Sequence, residues 1–394
     1  MIDFEDACRR TADLARPLPG EVLPLADAAG RVLAAPVVAR RTAPAHDTSA
    51  MDGYAVRSAD VETGSARLRI IAEAFAGDAL RPAPLASGDC VRIFTGAPVP
   101  PGTDRVVIQE IVRREGDIAV LERPLGGALH IRQAGSDFRL GDVLLEAGAV
   151  LTPQAIVAAA AADLDRVEVV ARPRVSILST GDELAEPGQA AARPGAIPDS
   201  VSLGVAAIAA AWGATVSARR RVADDVKQLE VAARAALEEA DVVVITGGAS
   251  VGERDFAKSA FEPLGLEMVF AKVAIKPGKP VWLGRVGDKI VLGLPGNPTA
   301  ALVTARLFLA PLLAGLGGRR PDAALEWRCD QLTAPIQACA DRETFCRGSA
   351  SPDGVTPLDN QDSASQRTLA WANVLIRQRP GVSRSGVQVA TLLF

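Results

Sequence analysis

Apolar residues at positions 4, 7, 8, 12 and 14 (Phe4, Ala7, Cys8, Ala12, Leu14) follow a helical period, which predicts an N-terminal helix. A proline-rich bend and a second short helix over residues 25–33 should come next. Between residues 41 and 140 the pattern changes to short β-like runs at 68–72, 90–94, 105–109 and 118–121. They alternate with turn clusters at Gly77-Asp78, Ser87-Gly88-Asp89 and Pro100-Pro101-Gly102, which predicts a mostly β insertion. Thr152-Pro153-Gln154 then opens an Ala-rich helix to about residue 162, with threonine as N-cap and proline in the first turn. That helix is expected to return to the N-terminal ones, making the first unit discontinuous.

From residue 174 strands and helices alternate: strands at 175–179, 215–219, 241–246 and 289–294, helices near 200–211, 225–239 and 256–264, and a long helix from Pro298. This order predicts a doubly wound parallel sheet with ligand loops at the carboxyl ends of its strands. Asn297 should cap the last helix, leaving free backbone N–H groups toward the loop. The tail has short strands and turns and predicts a small β unit. The expected division is 1–40 with 141–172 (discontinuous helical linker), 41–140 (β insertion), 173–320 (α/β) and 321–394 (C-terminal β).

Composition narrows the function. The chain has 394 residues, 48% of them hydrophobic, enough for two to four cored domains. With 43 basic against 47 acidic residues and no long basic block, nucleic acid is not an expected partner. Any anion site must be assembled locally. The five cysteines (Cys8, Cys90, Cys329, Cys339, Cys346) include no C-x-x-C pair, and the first six residues are acidic rather than a basic leader. The uncharged stretch 200–218 carries serines and glycines, and the apolar segment after Pro298 is interrupted by Arg306, so neither is expected to span a membrane. A soluble cytoplasmic protein is expected. Only His46 and His130 are present, so catalysis should rest on carboxylates, lysines and metal.

Three strand ends invite an oxyanion. Behind the apolar run 242–245 comes a glycine loop with Gly247, Gly248, Ser250, Gly252 and Asp255, whose backbone can approach a phosphate closely. Lys276 and Lys279 stand three apart in Ile275-Lys276-Pro277-Gly278-Lys279-Pro280, a segment stiffened by prolines. Pro295, Gly296 and Asn297 lie in a third loop. Ser179-Thr180-Gly181-Asp182-Glu183-Leu184 adds carboxylates at the same sheet edge, with Glu183 the preferred acid/base or metal-linked group. Each has a plainer alternative: an ordinary αβ connection for the glycines, a solvated pair for the lysines, caps for the acids. Asp224-Asp225 suits a helix N-cap best, Asp52-Gly53 a turn, and residues 94–100 hairpin chemistry.

Taken together, Ser49-Ala-Met-Asp-Gly-Tyr-Ala55, Thr95-Gly-Ala-Pro-Val-Pro100, Gly135-Ser-Asp137 and the four loops above resemble the molybdopterin molybdenumtransferases of the MoeA and gephyrin E-domain type, in family order from about residue 3 to 320. The resemblance implies an elongated homodimer whose active site joins the α/β unit of one subunit to the β insertion of the other. It implies hydrolysis of adenylylated molybdopterin, insertion of molybdate with release of AMP, and a magnesium ion. By position it implies roles for Asp52, Thr95, Asp137, Glu183, Asp225 and Asp255, with Glu183, Asp52 and Asp255 near the metal. It places Lys276 and Lys279 near molybdate or phosphate, and Arg342, Arg347 and Ser363 near the oxyanion. A molybdopterin adenylyltransferase and recipient molybdoenzymes are the implied protein partners.

Two positions depart from the family pattern. Val201 replaces an amide at a helix entrance, and Asp362 puts a carboxylate where glycine is common, which would repel molybdate unless it points away. The competing functions are the preceding adenylyltransferase step and a non-catalytic scaffold that keeps the fold.

Overall fold

The computed structural model describes residues 1–79, 84–247, 256–336, 339, 341–380 and 388–394. The first helix spans Phe4–Leu14, and Asp3 caps it by accepting from Asp6 N at 2.7 Å. Its apolar face does not rest on the Ala-rich helix Pro153–Ala161. Phe4 instead enters the main core, its ring 6.0 Å from Phe308 and 4.9 Å from Phe345, so this helix ties the α/β unit to the tail. Arg377 stacks over Phe4 and Trp327 and pairs with Glu343 and Glu5, closing the same junction.

The linker is less helical than its sequence suggests. Only Leu25–Asp27 forms a 3₁₀ turn, while Gly20–Pro24 and Arg166–Val170 pair as antiparallel strands. Glycine and proline at the ends of 20–24 mask that strand in the sequence, and four of its five residues are exposed. Helix Pro153–Ala161 forms as expected, Thr152 accepting from Ala155 N at 3.2 Å, and packs with Leu25, Leu33, Val167 and Val169.

The insertion folds into a six-stranded sheet in the order Arg105–Ile108, Gly53–Val56, Asp89–Ile93, Ala66–Ala74, Ile118–Leu121, Val112–Glu115. Alternate residues feed two cores, Tyr54, Val56 and Cys90 on one face and Ala55, Val91 and Ile93 on the other. Ala66–Ala74 and Asp89–Ile93 run parallel, so both chains leave the sheet at the same edge.

The α/β sheet has the order Thr215–Val222, Arg174–Thr180, Val242–Thr246, Lys289–Leu294, Trp282–Val286, Glu267–Phe270. Its first four strands are parallel, and Val242–Ile245 are fully buried, as a strand covered on both faces requires. The last two strands run antiparallel, so the sheet is mixed rather than wholly parallel. Gly287-Asp288, a turn pair between two apolar runs, closes the Trp282–Leu294 hairpin. The predicted 256–264 helix is shorter, Phe256–Ser259 and then a 3₁₀ turn Glu262–Leu264, because Pro263 removes a donor.

Helix Pro298–Leu316 is long and apolar enough to cross a membrane, yet 94% of it is buried inside the molecule. It is a core helix. In the tail sheet Ile275–Lys276 pairs in parallel with Glu343–Ser351, which is followed by Val374–Gln378, Gln388–Leu393 and Arg328–Gln331. The lysine segment is therefore stitched onto the tail, not left as a loose connection.

Candidate active site

The carboxyl ends of three adjacent parallel strands surround a cavity of about 690 Å³. Thr180, Gly181 and Glu183 come from the first strand end, Thr246 and Gly247 from the second, and Pro295, Gly296 and Asn297 from the third. A Cβ on Gly247, whose φ is +90°, would collide with the carbonyl oxygen of Thr180, so only glycine lets these strand ends approach so closely. Asp199 caps helix Ser200–Ala211 through Ser202 N and Oγ, at 3.2 and 2.7 Å, and forms part of the wall.

One side of the cavity is acidic. Glu183 and Asp224 line it, and Asp182 accepts from the backbone N–H of Asp224 at 3.1 Å. Partial burial, followed by repulsion from Asp182 and Glu183, raises the pKa of Asp224 above the usual carboxylate range. A cation between Glu183 and Asp224 would relieve that repulsion. Among the described residues no three His, Cys, Asp or Glu side chains form a metal-binding group. Two carboxylates nevertheless suit magnesium, which commonly takes one or two from protein and the rest from phosphate and water.

At the same cavity the loop before helix Pro298–Leu316 meets the tail. Asn297 Nδ2 donates to Ser363 Oγ at 3.1 Å, and Thr299 N donates to the Ser363 carbonyl at 3.1 Å. Asn297 therefore does not cap the helix with its side chain, as expected from sequence. The tail backbone satisfies that N–H instead. Ala364 and Gln366 complete this wall.

Arg347 lies behind the Ser363 loop. It is 1% exposed and donates to Thr299 Oγ1 and to the carbonyls of Ser365, Asn360 and Asp362, at 2.9–3.2 Å. These donors hold the loop that carries Ser363, and Arg347 is not among the residues lining the cavity. Arg342 pairs with Asp341 at 3.1 Å and does not line the cavity. Lys276 and Lys279 are exposed and form no ion pair among the described residues, and Pro280 of the same loop reaches the cavity wall. Gly278 fixes that loop against the long helix, since at φ +103° an added Cβ would strike Thr304 Cγ2.

Other expected site residues separate. Asp225 caps helix Val226–Glu239 through Gln228 N at 2.8 Å, while its neighbour Asp224 reaches the cavity. The sequence suits both to a cap and the family resemblance implies a role for Asp225, but neither reading singles out Asp224, which borders the cavity. Asp52 accepts from Thr95 N and Oγ1, both at 2.8 Å, at the edge of the insertion sheet. Those hydrogen bonds hold its pKa below the usual range. Neither residue lines this chain's cavity, and neither does Asp137, which is exposed and donates its N–H to Ala43 O at 3.2 Å. Gly248, Ser250, Gly252 and Asp255 lie outside the described residues.

The two departures are absorbed locally. Val201 is 8% exposed and joins the main core while bordering the cavity. The Asp362 carboxylate accepts from Ala364 N at 2.7 Å and is spent on its own turn.

A ligand-sized cavity at the carboxyl ends of parallel strands, lined by two carboxylates and by glycines that let a ligand approach the backbone, marks the binding site of an open α/β fold. Comparison with known proteins is consistent with this. Residues 2–162 match the model of the MoeA N-terminal region (domain I and II), and residues 176–315 match a probable molybdopterin binding domain. The chain is 39% identical over 306 residues to the molybdopterin molybdenumtransferase of Haemophilus influenzae, covering 77% of this chain and 74% of that one. It is 35% identical over 391 residues to molybdopterin molybdenumtransferase 2 of Mycobacterium tuberculosis, with 95% of each covered. The crystal structure of the molybdopterin biosynthesis moeA protein from Pyrococcus horikoshii superposes with a TM-score of 0.86 over the full length of both chains, at 25% identity. The chain belongs to the molybdopterin molybdenumtransferase family.

Proposed function

We propose that this family member inserts molybdate into adenylylated molybdopterin and releases AMP, in a homodimer whose site combines the cavity of one chain with Asp52 and Thr95 of the other. The observation that carries this is that Glu183 and Asp224 line the same cavity as Gly247, Gly296 and Asn297, the last bonded to Ser363 of the tail. The sheets favour the four-unit division given above, with the first helix reassigned to the main core. The separation of the Asp52–Thr95 clasp from its own cavity supports a site completed by a second copy. The fold supports the adenylyltransferase and scaffold alternatives less well, since the chain carries a whole β insertion and a tail in addition to the α/β unit, and its cavity keeps Glu183 and Asp224.

Glu183 and Asp224 would hold magnesium, which when bound supplies charge neutralisation at the pyrophosphate. The backbone of Gly247 and Gly296 lies close enough to meet phosphate oxygens without side-chain hindrance. Glu183, which lines the cavity, would orient the water that adds to phosphorus as the bridging P–O bond breaks and AMP leaves. Lys276 and Lys279, on the segment whose Pro280 reaches the cavity, would supply positive charge for molybdate, with the Ser363 hydroxyl held by Asn297. Incubation with adenylylated molybdopterin, magnesium and molybdate should give AMP and active cofactor together. Glu183→Ala should abolish AMP release while leaving oligomeric state intact, and full turnover in that variant would remove Glu183 from the mechanism.

A further inference from the structure

The insertion sheet carries an aromatic stack that none of the chemistry above uses. Its placement follows from strand register. Gly53 lies opposite Ile93 in the antiparallel pair, and Ala74 lies opposite Ile93 in the parallel pair. The next residues out along the three chains, Asp52, Phe94 and Phe75, therefore emerge together at one sheet edge. Phe94 N donates to Ala74 O at 3.1 Å and continues this alignment one step beyond the sheet.

The Phe75 and Phe94 rings are stacked, 4.7 Å between centroids with planes 9° apart. On the inner side the Arg92 guanidinium lies 4.9 Å from the Phe94 centroid and 4.9 Å from that of Tyr54. Arg92 is itself fixed by the Gly53 carbonyl and the Gln109 side chain. Tyr54, Arg92, Phe94 and Phe75 thus form a layered column with Tyr54 buried at 4% exposure and Phe75 48% exposed at its open end. Parallel rings held from behind by a clamped guanidinium present a flat face at low entropic cost. Next to that column, Thr95 donates twice to the Asp52 carboxylate and lowers its pKa.

We propose that Phe75 and Phe94 form a stacking platform for a planar heteroaromatic ring of the ligand, a purine or a pterin, seated in the partner chain's cavity. This rests on the shared-site function proposed above. An ordinary exposed phenylalanine would need no such support, whereas a platform must keep its plane when the ring leaves.

The test uses the full-length homodimer. AMP and 6-carboxypterin, titrated separately, report which ring the platform takes. Phe75→Ala and Phe75→Leu should weaken one of them about tenfold, and Phe75→Trp should retain affinity. The KM for adenylylated molybdopterin should rise by a similar factor in the Ala variant with kcat little changed. Unchanged affinity for both probes together with an unchanged KM would overturn the platform, as would dissociation of the Phe75→Ala dimer into monomers, which would make the stack a subunit contact. Mixed dimers of Phe75→Ala with Glu183→Ala separate this from the shared-site function. If the site is shared, the one intact site has the wild-type KM. A KM as high as that of the Phe75→Ala homodimer would place Phe75 beside its own chain's cavity and overturn the cross-subunit assignment, while the probe titrations would still stand for the platform.

Discussion

Two neighbouring aspartates, Asp224 and Asp225, have opposite roles, and the difference is a matter of one residue of backbone direction. Asp225 is fixed by its hydrogen bond to Gln228 N, a local contact any helix start can form. Asp224 faces Glu183 only because two distant strand ends meet, which no local pattern in the sequence reveals. Asp52 lies between these cases. Its motif stands out in the sequence, but the lowering of its pKa comes from hydrogen bonds to Thr95, in the turn after a different strand. A folded-state pKa lowered in this way stabilises the clasp above the ordinary carboxylate range, and the contribution is lost as pH falls through the folded pKa. Thr95→Val should move the Asp52 pKa upward toward its ordinary value, read by carbon NMR of the carboxyl group, while leaving it ionised at neutral pH. Arg347 makes the opposite lesson. Its position in an Arg-containing strand suggested ligand contact, and the structure spends it on the Ser363 loop. Arg347→Ala should cost on the order of 3 kcal/mol of stability by stranding several buried acceptors, seen as a lower midpoint in urea unfolding. It should also raise the KM for molybdate through the loosened loop.

At the scale of elements, periodicity was a good guide where a segment answers to one sheet or one face. The strand Ile118–Leu121, the helix Ser200–Ala211 and the strand Lys289–Leu294 have the predicted bounds. It failed where pairing partners decide. Gly20–Pro24 is a strand because Arg166–Val170 lies beside it, and Glu267–Phe270 because a hairpin offers its edge. The first helix was legible as a helix but not in its destination, since an apolar stripe does not name the surface that covers it. The lysine segment was legible as stiff, and the structure adds why: it is a strand of the tail sheet braced on the long helix. Gly278→Ala should therefore cost roughly 1–3 kcal/mol through its left-handed backbone and the clash with Thr304. Thermal unfolding would show the loss, and a matching drop in molybdate affinity would show that the lysines had moved.

For the molecule as a whole, the cavity could be anticipated from strand–loop–helix alternation, and the glycine, proline and acidic residues at the three strand ends do converge on it. What local pattern could not supply was the relation of the insertion to that cavity. Asp52, Thr95, Phe94 and Phe75 share an edge of a separate sheet, and the cavity of the same chain is lined by none of them. The second copy proposed to join them is what the family resemblance implies, and the Asp52 carboxylate held by Thr95 and the stacked Phe75 and Phe94 rings lie together at one end of that sheet. The most direct measurement is complementation between Asp52→Asn and Glu183→Ala chains, co-expressed with different tags and purified as mixed dimers. Each homodimer should be inactive, and the mixed dimer should release AMP in the presence of molybdate at about half the wild-type rate, since one of its two composite sites is whole. Mixed dimers as inactive as either parent would contradict a site built from two chains.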